Sequence, residues 1–193
     1  MKPNAIEIEI KVKIEKSKPL IEFLKKNGTF VGRFRQIDTY FVPQHRNFIK
    51  ARPAKEWLRL RNADGKFFIN YKNWHYGKDN KTNFCDEYET TIENMDAVNK
   101  IFSAIDIKPI AKVNKKRQIW FHKDYEVAID KIKGLGDFVE IEYKGKTKSS
   151  PKKITDKMVK FLKDAGCGKI NRNYQGYPFL LLFPNEAKYE EIL

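Results

Sequence analysis

Apolar and polar residues alternate along most of this chain. The first example is "AIEIEIKVKIE", where Ile6, Ile8, Ile10, Val12 and Ile14 separate Glu7, Glu9, Lys11, Lys13 and Glu15. A period of two marks a strand, because successive side chains on a pleated backbone point to opposite faces. It predicts eight strands, over 5–15, 36–42, 56–62, 66–74, 84–93, 112–122, 125–132 and 137–144. "NADG" (62–65) and "HKD" (122–124) are turn-forming and join consecutive alternating runs, so they read as hairpin connections. Three segments have helical spacing instead. "SKPLIEFLKKNG" offers Ser17 as N-cap, Pro19 in the first turn and Gly28 as the stop. "NMDAVNKIFSAIDIKP" places Met95, Val98, Ile101, Phe102 and Ile105 on one stripe behind Asn94, and about 151–165 carries Ile154, Met158, Phe161, Leu162 and Ala165 before Gly166. No repeat or flexible linker interrupts the pattern, so residues 1–193 are expected to form a single, mainly β domain of the α+β class.

The polar half of the alternation is unusual in content. Arg59 and Arg61 stand opposite Leu58 and Leu60, Asn70 and Lys72 opposite Ile69 and Tyr71, and Glu87 and Glu89 opposite Tyr88. Lys115 pairs with Arg117, Asp130 lies opposite Val127 and Ile129, and Glu140 and Glu142 lie opposite Val139 and Ile141. In one strand this is an ordinary solvent face. In most strands at once it fits an eight-stranded antiparallel closed β-barrel whose inward face is the charged one. Such an interior must hold water, a metal and an anion, because unpaired buried charge is costly. Carboxylates suit Mg²⁺, while guanidinium and ammonium groups suit phosphate oxygens. The mixed-sign face therefore matches a metal–polyphosphate ligand.

Composition narrows the classes further. A net charge of +14 points to an anionic partner, and 41% hydrophobic with 13% aromatic residues excludes a disordered chain. No apolar run is long enough to span a membrane and the N-terminus has no signal-peptide pattern, so a cytoplasmic protein without a membrane partner is expected. Cys85 and Cys167 are isolated and read as reduced thiols; His45, His75 and His122 lack metal spacing. Trp57, Trp74 and Trp120 are base-stacking candidates, although scattered tryptophans more often pack. "QHRNFIKARPAKEW" (44–57) is either a loop over the site or a plain surface loop. Asp38 and Tyr40 either line the site or, the reading preferred, mark an ordinary strand start, and Lys13 and Glu15 read as merely solvated. A basic nucleic-acid-binding β domain is the rival class, supported by Lys144, Lys146, Lys148, Lys152 and Lys153. Three Glu-x-Glu pairs would repel phosphates on an open face, which disfavours nucleic acid as a partner.

Glu7-Ile8-Glu9-Ile10-Lys11 resembles the ExExK signature of the CYTH superfamily, the triphosphate tunnel metalloenzymes. The resemblance continues in order through "DTYF" (38–41), "LRLR" (58–61), Lys72, "EYE" (87–89), "KKR" (115–117), "AID" (128–130) and "GLGDFVEIE" (134–142), and covers about 5–183. "AIDKIK", "GLGDFVEIE" and "YPFLLL" are most similar to the class IV adenylyl cyclase branch. The chain departs from that branch at Asn114, where EKxR has an acid, and at Gly176, where a Ser commonly precedes the Tyr. The resemblance implies a CYTH-like eight-stranded tunnel binding a triphosphate with Mg²⁺ or Mn²⁺. By motif, Glu7, Glu9, Glu140, Asp130 and Glu142 would ligate metal, with Glu87 and Glu89 as further candidates. Lys11, Arg59, Arg61, Lys72, Lys115 and Arg117 would hold the triphosphate, and Glu7, Glu9, Lys11, Lys72 and Arg117 would form the catalytic set. The implied reaction converts ATP to cyclic AMP and pyrophosphate; hydrolysis of inorganic, thiamine or nucleoside triphosphate is the alternative. A homodimer is among the partner states considered.

Overall fold

The computed structural model describes residues 8–52, 54–76, 82–146 and 150–192. Its elements run β1 (Glu9–Ile14), α1 (Lys18–Asn27), β2 (Thr29–Pro43), β3 (Glu56–Ala63), β4 (Lys66–Tyr76), β5 (Thr82–Ile92), α2 (Met95–Ala104) and β6 (Ile107–His122). There follow β7 (Tyr125–Ile132), β8 (Gly136–Tyr143), α3 (Pro151–Asp164), β9 (Ile170–Arg172), α4 (Tyr177–Leu182), a 3₁₀ turn (Pro184–Glu186) and β10 (Glu190–Glu191). The fold is mainly antiparallel β with flanking helices, as the alternation predicts. Hydrogen-bonded neighbours follow the order β10-β9-β1-β8-β7-β6-β2-β3-β4-β5. The sheet agrees in kind with the expected one but has ten strands rather than eight among the described residues, with no β10–β5 pairing among them. β9 and β10 have three and two residues, too short to show a period, and β9 occupies the edge of β1 that closure would need.

The chain divides into two compact units: Met1–Phe34, Lys116–Asn173 and Lys188–Leu193 form the first, and Arg35–Lys115 and Tyr174–Ala187 the second. In the first, Ile10↔Ile141 and Val12↔Val139 pair across β1–β8, and Val127↔Ile141 and Ile129↔Val139 across β7–β8. This row of β-branched side chains is covered by Leu20 and Leu24 of α1 and by Ile154, Met158 and Leu162 of α3, all buried. Both helices present apolar residues at spacings of three and four, which is why they lie on that face. Asn94 caps α2 as predicted, its side chain accepting from the Ala97 N–H at 2.9 Å. Ser17 does not cap α1 with its side chain; its hydroxyl donates to Asp137 instead.

In the second unit, Phe41, Leu60 and Phe102 form the buried cluster, with Leu58, Ile69, Ile92, Met95 and Val98 against it. The β3–β4 hairpin turns through Asp64 (φ 48°) and Gly65 (φ 85°), with Ala63 paired to Lys66. Two consecutive positive φ values are what the Asp-Gly pair supplies at low cost. β2 begins seven residues before its predicted start, since 29–35 is exposed on nearly every side chain and a strand with no buried face shows no alternation. β6 likewise begins earlier, through Pro109, a residue that argues against a strand. No described helix is long and apolar enough to cross a membrane.

Two measurements test this packing. Leu60 is 1% exposed, so Leu60→Ala should lower unfolding free energy by about 2–5 kcal/mol in urea titration; a change within about 0.5 kcal/mol contradicts the assignment. Burial pushes the Cys167 thiol up to about 11, so at pH 8 Ellman's reagent should leave it unmodified until the chain unfolds. Rapid labelling of Cys167 in the native chain would contradict its place in the core.

Candidate functional site

The second unit carries its charged side chains on the face opposite Phe41, Leu60 and Phe102. Strand pairing aligns them in rows. Asp38 faces Arg61 across β2–β3; Tyr40, Arg59, Asn70 and Glu89 form the next row; Trp57, Lys72 and Glu87 the one after. This is not an ordinary solvent face, because Asp38 is 2% exposed, Asn70 1% and Lys115 4%. Arg61 holds Asp38 in a fork, Nε at 2.7 Å and a terminal nitrogen at 2.8 Å, and Arg59 reaches the same carboxylate at 3.6 Å. Burial alone would raise the Asp38 pKa; the Arg61 hydrogen bonds and charge, with those of Lys115 and Arg59, outweigh it and hold the carboxyl below its usual range. Lys72 pairs with Glu87 at 2.9 Å, Asn70 donates to Glu87 at 2.7 Å and to Glu89 at 3.1 Å, and Arg59 reaches Glu89 at 3.3 Å. The Glu87 carboxyl, partly desolvated, is held below its usual range by Lys72 and Asn70. Lys115 lies 5.5 Å from the Tyr177 ring centroid. Among the described residues the Arg59 Nε is buried and has no acceptor, and the same holds for the Trp120 Nε1 of the first unit.

The first unit repeats the device. On the face opposite Ile10 and Val12, Lys11 faces Glu140 in register and bonds it at 2.8 Å. Arg117 forks onto Asp130 at 2.7 and 2.6 Å and also donates to Glu140. Asp130 is fully buried. Burial would lower the Lys11 pKa, but Glu140 and Glu9 more than offset it and keep the ammonium charged. Glu9, Glu142 and Glu126 share one row across β1, β8 and β7, and Glu142 also binds Lys144.

Of the residues singled out by sequence, Lys11, Arg117, Asp130 and Glu140 come together in the first unit, and Arg59, Arg61, Lys72, Glu87 and Glu89 in the second. Glu7 lies outside the described residues. Among the described residues, which exclude Glu7, no three His, Cys, Asp or Glu side chains stand close enough to hold an ion. Asp130 and Glu140 are instead engaged by Arg117 and Lys11. The donors of the Glu9–Glu142 row still fit a hard cation that takes one or two carboxylates and fills its remaining positions with water and phosphate.

Several roles differ from expectation. Asp38 is the buried partner of two arginines, not a strand start; β2 already runs from Thr29, so Asp38 and Tyr40 are mid-strand and share a face by parity. Glu126, four residues before Asp130, was detectable by the same parity. Lys13 lies over the Tyr189 ring at 5.6 Å, and Glu15 accepts from the Lys169 N–H at 3.1 Å, so neither is simply solvated. In the 44–57 loop, Phe48 and Ala54 are buried, and Arg52 pairs with Glu186 at 2.7 Å and stacks 3.9 Å from the Phe183 centroid. That loop is anchored within its unit.

The CYTH domain profile matches residues 5–177. A Methanocaldococcus jannaschii protein named "Putative adenylate cyclase MJ0240" is 36% identical over 167 residues, covering 86% of this chain and 93% of its own. The solved structure of PH1819 from Pyrococcus horikoshii OT3 superposes with a TM-score of 0.69 at 25% identity, covering 92% of this chain and 99% of that one. The Hippeastrum "Putative adenylyl cyclase HpAC1", for which a dominant triphosphatase activity is given, shares the fold at a TM-score of 0.65 and 15% identity, over 93% of this chain and 96% of its own. Profile, relative and fold agree with the charged strand faces: this chain belongs to the CYTH domain family.

Proposed function

We propose that the chain is a metal-dependent triphosphate-processing enzyme whose reaction converts ATP to cyclic AMP and pyrophosphate. The observation that carries this is the second unit's polar face, where Arg59, Arg61, Lys72 and Lys115 act against three carboxylates and the buried Arg59 Nε has no acceptor. A buried donor without a partner is costly unless an anion completes the surroundings. The name of the 36%-identical relative supports the cyclase.

In this reading Arg59 and Arg61 bind phosphate oxygens as planar forks and Lys72 and Lys115 as point charges. Asp38 orients both arginines. The 3′-hydroxyl of ATP releases its proton to water, its oxygen bonds to the α-phosphorus, the bond from that phosphorus to the β-bridging oxygen breaks, and pyrophosphate leaves. Pre-positioned cations stabilise the charge that builds on the leaving group without reorganising. Glu9 and Glu142, joined by Glu7 by motif, would hold Mg²⁺ or Mn²⁺. Such an ion would supply Lewis-acid neutralisation of phosphate charge. Lys11 and Arg117 set the carboxylates of the first unit in place.

Incubating the purified chain with ATP and Mg²⁺ or Mn²⁺ should give cyclic AMP and pyrophosphate by chromatography, and no product in EDTA. ADP with orthophosphate would replace the cyclase with a hydrolase. No metal-dependent product from any triphosphate, together with salt-sensitive oligonucleotide binding, would overturn the enzyme reading. Arg61→Ala would confuse binding with folding by stranding buried Asp38. Lys72→Ala is cleaner, since its partner Glu87 is 41% exposed; it should raise the KM for the triphosphate about tenfold or more while the melting temperature barely moves. An unchanged KM would remove Lys72 from the phosphate site.

A further inference from the structure

We infer that Trp74 is a specificity-determining residue, the ring on which the heteroaromatic group of a nucleoside triphosphate stacks. This rests on the triphosphate reading above and adds which residue of the chain meets the substrate's organic end. The argument is one of row order along the strands. Arg61 with Asp38 occupies one row, Arg59 with Asn70 the next, and Lys72 with Glu87 the third; Trp74, paired with Cys85, forms the fourth. All lie on the same strand face, because each is two residues from the last. At about 3.3–3.4 Å per residue the Trp74 backbone lies roughly 7 Å along β4 from that of Lys72, and the indole is beside the Lys72 ammonium.

Trp57 and Trp74 flank Lys72, yet only one is available. Trp57 is 8% exposed and its ring is packed edge-on against Tyr40 at 5.7 Å. Trp74 is half-buried, and among the described residues its single ring contact is the Lys72 ammonium, 5.7 Å from the centroid. An indole whose face meets one cation, beside the last cation of a phosphate-binding row, offers a nucleobase a stacking surface at little rearrangement. At the opposite end of the face, half-buried Phe68 pairs with Arg61 and offers a smaller ring; Trp74 is the larger π-surface and the one that meets a cation of the row. The platform reads a π-face and not base edges, so it separates heteroaryl triphosphates from inorganic triphosphate without selecting one base.

Isothermal titration of the full chain with ATP and with inorganic triphosphate, each with Mg²⁺, tests this. The readout is the ratio of the two dissociation constants. Trp74→Ala should weaken ATP relative to inorganic triphosphate about tenfold, and Trp74→Phe, which keeps a ring, should restore most of the ratio. Thermal melts of both variants check folding, and a ratio is insensitive to a shared loss of active protein. If both ligands bind and the ratio is unchanged in Trp74→Ala, Trp74 does not read the organic group while the triphosphate site stands. If neither ligand binds the unmodified chain, the triphosphate reading falls and this inference falls with it.

Discussion

A carboxylate taken out of water must be held by a cation of matching shape, and this structure depends on doing so twice. Asp38 is gripped by Arg61 in one unit and Asp130 by Arg117 in the other, each through two parallel hydrogen bonds of 2.6–2.8 Å. Those pairs allow charged residues to occupy the second face of strands whose first face is already an apolar core. Removing one partner would leave an uncompensated buried charge, a larger penalty than losing most single apolar contacts. The pairs also fix where the neighbouring groups point. Arg61 is locked by Asp38, which Arg59 also approaches; Arg117 is locked by Asp130 and sets Glu140, which in turn holds Lys11.

The consequence for function is preorganisation. Cations that already have their geometry cost little entropy when an anion arrives. Glu87 and Glu89 hold Lys72 and Arg59 in the ligand-free chain and are the groups a phosphate would compete with. In the first unit the Glu9, Glu142 and Glu126 row has the opposite character, carboxylates facing carboxylates across adjacent strands. Like charges at that spacing are destabilising unless a cation intervenes. Each kind of row stands within its own unit: that of the second suits an anion and that of the first a cation.

Much of this was legible in the sequence because strand parity assigns faces without knowledge of the fold. Arg59 with Arg61, Asn70 with Lys72 and Glu140 with Glu142 were placed on common faces by counting alone. The illegible parts have physical causes. Residues 29–35 are strand without a buried side, so there was no contrast to detect, and that concealed the mid-strand position of Asp38. β9 and β10 are too short for a period, so the alternation yields eight strands where the described residues form ten. Parity also says nothing about partners: it puts Asp130 and Glu140 on the charged faces of their strands without showing that Arg117 and Lys11 engage them. Trp57 and Trp74 look alike as letters and differ in the structure, one edge-packed on Tyr40 and the other open beyond Lys72.

The central claim is that the buried-face cations, and not the exposed lysines, receive the phosphates. A crystal structure of the chain with Mn²⁺ and a non-reactive ATP analogue tests it most directly. The account predicts phosphate oxygens within about 3 Å of Arg59, Arg61, Lys72 and Lys115 nitrogens, the spacing of a charge-assisted hydrogen bond. Phosphates bound instead along Lys144, Lys146, Lys152 and Lys153, with those four cations still paired as they are now, would contradict it.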